Sequence, residues 1–311
     1  MVPDVFGRRA LRWSVVTAAP RPPAGDQWGD TVFARDLVAA LERAGQRASV
    51  VFRGAAESEA RERDDVVIVL RGLRRFTPRR VRQGRPLWML WVISHPELVE
   101  SGEPEGYDAV FAASAHWSRA AEFDVPVTPL LQATDPERFR PDAGTPDSGP
   151  ARLFVGSTRG EYRPSVRAAV EAGLALDIYG VGWDAYLPAD RIAGDFLDPA
   201  ALPAAYASAS VVLNDHWADM AREGFLSNRL FDAAATGTRV VSDPAAGLAD
   251  VFGDVVRTAP DAAGLVEILQ ADPDAVFADR AARLALAQEV ARSHSFDARA
   301  AVLIERARAL R

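Results

Sequence analysis

Along its first half the chain alternates short apolar runs with stretches in which apolar residues recur at helical spacing. Continuous apolar runs suit strands buried on both faces, and the amphipathic stretches between them suit crossover helices, so the pattern predicts a parallel sheet covered by helices. Leu11–Ala19 (LRWSVVTAA) predicts the first strand. A loop containing Trp28-Gly29-Asp30 follows, then a helix over Thr31–Ala44 that stops at Gly45. ASVVF, DVVIVL, PLWMLWVIS and YDAVFAAS predict four more strands, and PVTPLLQ a weaker sixth.

From Asp135 to Pro150 the chain becomes rich in Pro, Gly and Asp (DPERFRPDAGTPDSGP), which predicts an interdomain linker. The same grammar then restarts. ARLFVGS, LALDIYGVG, ASVVLND and TRVVSD predict strands, and Ser227–Thr236 a short helix with Ser227 as N-cap and Gly237 just past its end. Beyond Gly264 the sequence is alanine-rich and helical, and the tail is amphipathic. The expected organisation is α/β, with two Rossmann-like domains facing across a cleft: residues 1–145, residues 150–295, and a terminal helix over 296–311 packing back across the junction.

Composition narrows the function classes. The 311 residues suffice for two cores, and 49% apolar with 25% charged residues is ordinary for a globular enzyme. A net charge of −7 argues against a nucleic-acid partner. With no cysteine there is no disulfide, zinc–thiolate site or thiol nucleophile. The N-terminal stretch lacks an apolar signal core and no later run is long enough to span a bilayer, so the expectation is a cytoplasmic protein without an integral membrane segment. All 36 basic residues are arginine, so any phosphate clamp must be built from guanidinium forks.

Ligands of open parallel sheets bind beyond the carboxyl ends of the strands. The richest such loop is Leu213–Gly237 (LNDHWADMAREGFLSNRLFDAAATG), which holds the chain's only two asparagines, Asn214 and Asn228. Free N–H groups at the start of its helix favour a phosphate, with Ser227, Asn228 and Arg229 as donors, Gly224 allowing close approach, and Asp232 accepting from sugar hydroxyls. The bland alternative is a helix capped by Ser227 with Asp232 merely solvated. Gly180-Val-Gly182-Trp-Asp-Ala superficially matches a dinucleotide fingerprint, but no helix is expected to open there. A tight loop with Gly182 near a nucleotide base fits better than a nicotinamide site. Gly29 can bring its amide to a diphosphate, and Asp30 can cap its helix. Asp272-Pro-Asp274 reads as helix initiation, and no metal site or cofactor is expected.

EGFLSNRLFDAAATGTRVVSD, with Gly224–Gly237 at its centre, resembles the signature of group-1 glycosyltransferases of the GT-B fold, in the branch that includes the spore-maturation-type transferases. GLADVFGD, HSFDARA, WVISHPE and LLQATDPERF extend the likeness over nearly the whole chain. The resemblance implies a metal-independent, retaining hexosyltransferase. Its donor, a nucleotide-diphosphate sugar such as a UDP-sugar, is held by the second domain, and its unknown small-molecule or glycan acceptor by the first. It implies Asp232 at the ribose, Glu223 near a donor-sugar hydroxyl although one residue out of register, and Arg159 and Arg163 of VGSTRGEYRP as the diphosphate clamp. It also implies a functional histidine in the first domain. His95, at the end of LWMLWVIS, is the first candidate and His116 the second, while His216 lies in the donor loop and His294 reads as structural. An epimerase acting on a nucleotide-sugar and a non-catalytic nucleotide-sugar-binding subunit are the rival readings. No basic stripe or aromatic cage in the sequence names an acceptor.

Overall fold

The computed structural model describes residues 9–26, 28–55, 63–78 and 86–311. The chain divides into two compact units, Met1–Ala133 with Trp217–Phe225 and His294–Arg311, and Thr134–His216 with Leu226–Ser293. Each is built on one all-parallel sheet.

In the first unit β1 (Arg12–Val16), β2 (Arg47–Val51), β3 (Val66–Arg71), β4 (Leu87–Val92), β5 (Ala109–Ala112) and β6 (Val127–Pro129) lie in the order β2-β1-β3-β4-β5-β6. Every residue of β3 and β4 is buried, as central strands covered on both faces must be. On one face Trp13, Ile68 and Trp91 pack with Phe33 of the Gly29–Arg43 helix and Phe296 of the Phe296–Ala309 helix. The other face, with Val69, Trp88 and Val110, takes Met220 and Phe225. The terminal helix is held by charge as well. Arg43 pairs with Asp297 at 2.8 Å, and Arg299, buried, donates to the Leu131 and Gln132 carbonyls at 2.7 and 2.9 Å. Burial lowers the Arg299 pKa to about 10.

In the second unit β7 (Arg152–Val155), β8 (Asp177–Tyr179), β9 (Val211–Asn214), β10 (Arg239–Ser242) and β11 (Arg257–Thr258) take the order β11-β10-β9-β7-β8. The core joins Phe154, Ile178, Leu213 and Val241 to Val166, Leu265 and Leu269 of the covering helices.

Two expectations are corrected. The Asp135–Pro150 stretch is no free linker: it belongs to the second unit, where Phe139 is buried against Tyr206 and the Gly149 amide donates to Ser208. Its Pro/Gly composition sets turns, but one buried aromatic anchors it. Trp217–Phe225, expected within a domain running from 150 to 295, packs with the first unit because Met220 and Phe225 enter that core. The expected weaker sixth strand forms over Val127–Pro129, within PVTPLLQ. Among the described residues no helix is long and apolar enough to cross a membrane.

Candidate functional site

In each sheet the strand order reverses once, and the crevice opening there is where open α/β sheets bind ligands. In the second unit that point lies between β7 and β9. Asn214, the last residue of β9, is its hub. Its amide N–H donates to Ser242 Oγ at 2.8 Å, and its Oδ1 accepts from Ser227 Oγ at 2.5 Å and from Arg229 at 2.9 Å. Arg229 also donates to the Val155 carbonyl at 2.5 Å, so one guanidinium bridges the two strands at the switch. The Phe154 ring receives the cations of Arg163 and Arg229 at 4.6 and 4.9 Å. A side chain on Gly156 would meet the guanidinium ends of Arg229 at 2.8 Å and Arg163 at 3.0 Å, so it would have to displace them.

The Asn228–Ala235 helix opens beside this network. Ser227 stands at its N-cap but makes no side-chain cap bond, because its hydroxyl is committed to Asn214. The Ser227 amide instead donates to His216 Nε2 at 3.1 Å. His216 Nδ1 therefore carries the proton and donates to Asp243 at 2.6 Å. Burial works against the Asp243 charge, and bonds from His216 and Ser242 outweigh it, holding the carboxyl below its ordinary range. The first amides of a helix lack intrahelical acceptors, so the Asn228–Arg229 start presents N–H groups and positive dipole together. The Asn228 amide donates to Asp232 at 2.8 Å, and its Oδ1 is buried without a hydrogen-bond partner.

The first unit gathers different groups at its own switch, between β1 and β3. A Cβ on Gly72 would stand 3.1 Å from Ser94 Oγ and 3.4 Å from Asp30 Oδ2, so these groups converge past the strand ends. Burial raises the Asp30 carboxyl above its ordinary range. His95 follows, with a left-handed backbone (φ 51°) that carries a conformational cost for a side-chain-bearing residue. Its ring meets Trp217 edge-on at 5.3 Å, and its Nδ1 lies 3.8 Å from Asp219 Oδ2. That carboxylate oxygen is buried and has no hydrogen-bond partner.

The expected residues thus sort into groups. Asn214, Ser227, Asn228 and Arg229 come together at the second switch. Arg159, half-buried at φ 60°, lies in the loop after β7, where the Tyr186 hydroxyl donates to the Gly160 carbonyl at 3.0 Å. Arg163 is corrected: it is 1% exposed, paired with Asp215 and bonded to the Ser157 carbonyl at 3.1 Å. Burial, then the Arg229 and Arg159 cations, pushes its pKa down, with Asp243 and Glu161 opposing the shift. His216 is a buried brace with both ring nitrogens committed. Asp232 is 7% exposed, accepting from Thr134 at 2.8 Å and from Asn228, so it faces packing rather than a sugar.

Glu223 and Gly224 fall in the first unit. Glu223 pairs with Arg222 at 2.9 Å, and Gly224 (φ 73°) is the left-handed C-cap of the Ala218–Glu223 helix. Gly182 (φ 85°) packs its loop on Thr158, where a Cβ would meet Oγ1 at 2.6 Å, and a three-residue 3₁₀ turn, Trp183–Ala185, does open after it. Gly29 starts its helix in open space, with Trp28 rather than Asp30 at the N-cap. His116 is exposed on the Ala115–Ala120 helix. His294 bonds Arg299 at 2.8 Å. Asp272 caps the Pro273–Val276 helix, as its sequence predicts. Among the described residues no three His or acidic groups converge as metal ligands.

Sequence reasoning missed Asp215, Asp219 and Asp243. Asp215 directly follows Asn214, and an acid beside the hub of a buried arginine network was the available signal. Asp219 carried none, because its partner is distant in sequence.

Residues 161–305 match the family model described as glycosyl transferase-like. No curated protein sequence matches the chain. Among solved structures, the chain is similar to sucrose-phosphate synthase from Thermosynechococcus elongatus, at 15% identity over 96% of this chain and 99% of that one, with a TM-score of 0.66. AviGT4, a glycosyltransferase of avilamycin A biosynthesis, is 17% identical over 96% and 98%, with a TM-score of 0.64. The Anabaena protein HepE, solved with UDP and glucose, is 12% identical over 95% and 100%, with a TM-score of 0.61. The two parallel α/β sheets and these likenesses establish the GT-B fold, and the chain carries a glycosyl transferase-like region over 161–305.

Proposed function

We propose that the protein transfers a hexosyl group from a nucleoside-diphosphate sugar, with UDP as the first candidate, to an acceptor hydroxyl. The reading includes metal independence and retention of anomeric configuration. The observation that carries it is the helix start at Asn228–Arg229, set at the switch between β7 and β9 with a guanidinium bridging the strand ends. A diphosphate placed there meets backbone amides, the Asn228 side chain and the cation of Arg229, with Arg159 from the loop after β7. As the bond from the anomeric carbon to phosphate oxygen breaks, its electron pair moves to the diphosphate, and these fixed donors stabilise that growing charge. Arg163, His216 and Asp232 hold the donors in place. In the first unit His95, with Nδ1 3.8 Å from Asp219, serves the acceptor hydroxyl.

Calorimetric titration of the full chain with UDP, GDP, dTDP and ADP tests the donor site. One nucleotide is expected to bind without added metal and to lose about 10-fold in affinity in Arg159→Ala, one charge-assisted hydrogen bond being worth about 1.5 kcal/mol. Absence of binding by all four overturns the reading. Proton NMR of the first-formed product tests retention.

A further inference from the structure

A small open recess lies in the first unit at the carboxyl ends of β1 and β3. Val16 and Val69 form part of its apolar lining, and Arg53, Arg74, Arg75 and Phe76 line the rest. The basic wall is built. The Arg53 amide donates to the Ala19 carbonyl at 3.0 Å, fixing that residue beside the end of β1. Phe76 stacks on Trp88 at 5.6 Å, and its carbonyl accepts from the Tyr107 hydroxyl at 2.7 Å, which anchors the stretch carrying Arg74 and Arg75.

Charge counting then selects the ligand. Arg71 is neutralised by buried Glu103 and Arg75 pairs with Glu100. Arg53 and Arg74 have no carboxylate partner among the described residues. Among the described residues, two arginines without a carboxylate partner thus line one recess of a chain whose net charge is −7. Paired guanidinium forks match the oxygens of a phosphate monoester or a carboxylate, and the apolar lining suits a carbon framework.

We propose that this pocket binds the oxyanion of a small polyhydroxy acceptor. Calling the ligand an acceptor rests on the transferase reading; the binding of the anion does not. Isothermal titration of the full chain with glucose 6-phosphate, gluconate and glucose is the test, with UDP titrated in parallel. At least one of the two anions is expected to bind and neutral glucose not to. Glucose 6-phosphate against gluconate separates phosphate from carboxylate recognition. In the double variant Arg53→Ala/Arg74→Ala the anion should bind at least 10-fold more weakly while UDP affinity stays unchanged. Arg53 is half-buried and Arg74 exposed, so the variant should fold, which its thermal midpoint checks. Failure of both anions to bind, equal binding of glucose, or undiminished affinity in the double variant overturns the proposal. Failure of UDP, GDP, dTDP and ADP all to bind overturns the donor reading and leaves this one standing.

Discussion

The two switch points are made of similar strands and furnished in opposite ways. In the second unit most polar groups at the switch have a partner inside the fold, with Asn228 Oδ1 and Arg229 Nε as buried exceptions: Asn214 ties three side chains together, Arg163 is locked on Asp215, and His216 spends both ring nitrogens. In the first unit a carboxylate oxygen of Asp219 stays unbonded 3.8 Å from His95, Asp30 is held where its charge is disfavoured, and two arginines face a pocket without acids. Unsatisfied groups are costly to keep, and they persist where something outside the fold completes them.

The strongest way to break this contrast is at His95. His95→Ala is expected to lower kcat by about 10²–10⁴ with donor KM little changed, as befits a lost proton acceptor. Asp219→Asn should retain more activity and shift the pH profile, to which Glu97 and Arg222, paired at 3.4 Å on the neighbouring turn and helix, also contribute. Equal KM effects in both variants would make the pair structural.

Next in size is a test of saturation. Arg163→Met should cost about 3–5 kcal/mol in urea denaturation, because Asp215 is left as an uncompensated buried charge. A loss below about 1 kcal/mol would mean that the network is not what holds the second switch.

A smaller effect is expected at Asp30. Its folded-state pKa is raised, so the native state holds a proton that the unfolded chain releases. The resulting stability is fully present below the ordinary aspartate pKa and is lost as pH rises through the folded value. Asp30→Asn should therefore match the wild type in thermal midpoint at low pH and exceed it at pH 7. The reverse order at pH 7 would show that the Asp30 charge is stabilised by its surroundings. Smallest of all, Glu223→Gln should change activity less than about two-fold, since its side chain forms a partly exposed surface pair worth under about 1 kcal/mol.

The α/β architecture was legible because buried parallel strands write themselves as apolar runs, and β3 and β4 are the clearest cases. The loop from Asn214 to Arg229 was legible too, since rare polar residues beside a helix start carry a local signal. Orientation was not. Nothing along the chain distinguishes Arg159 from Arg163, yet one is half-buried at a left-handed turn and the other sealed against Asp215, because the partner lies 52 positions on, just past the end of β9. Asp232 sits one turn into its helix, where the sequence suggests an open carboxylate. Thr134, nearly a hundred positions away, occupies one of its oxygens. The excursion of Trp217–Phe225 into the first unit had no compositional mark, being set by where Met220 and Phe225 find apolar cover.

That excursion limits how the gene can be cut and recombined. The backbone passes between units at 133/134, 216/217, 225/226 and 293/294, so neither half is a continuous stretch of sequence. A fragment running from 134 to 293 would carry Met220 and Phe225 with nowhere to bury them, and one ending at 133 would lack the helix that covers Phe33. Chimeras with another GT-B protein therefore need to exchange the nine residues 217–225 and the terminal helix together with the N-terminal segment, or they inherit two mismatched cores.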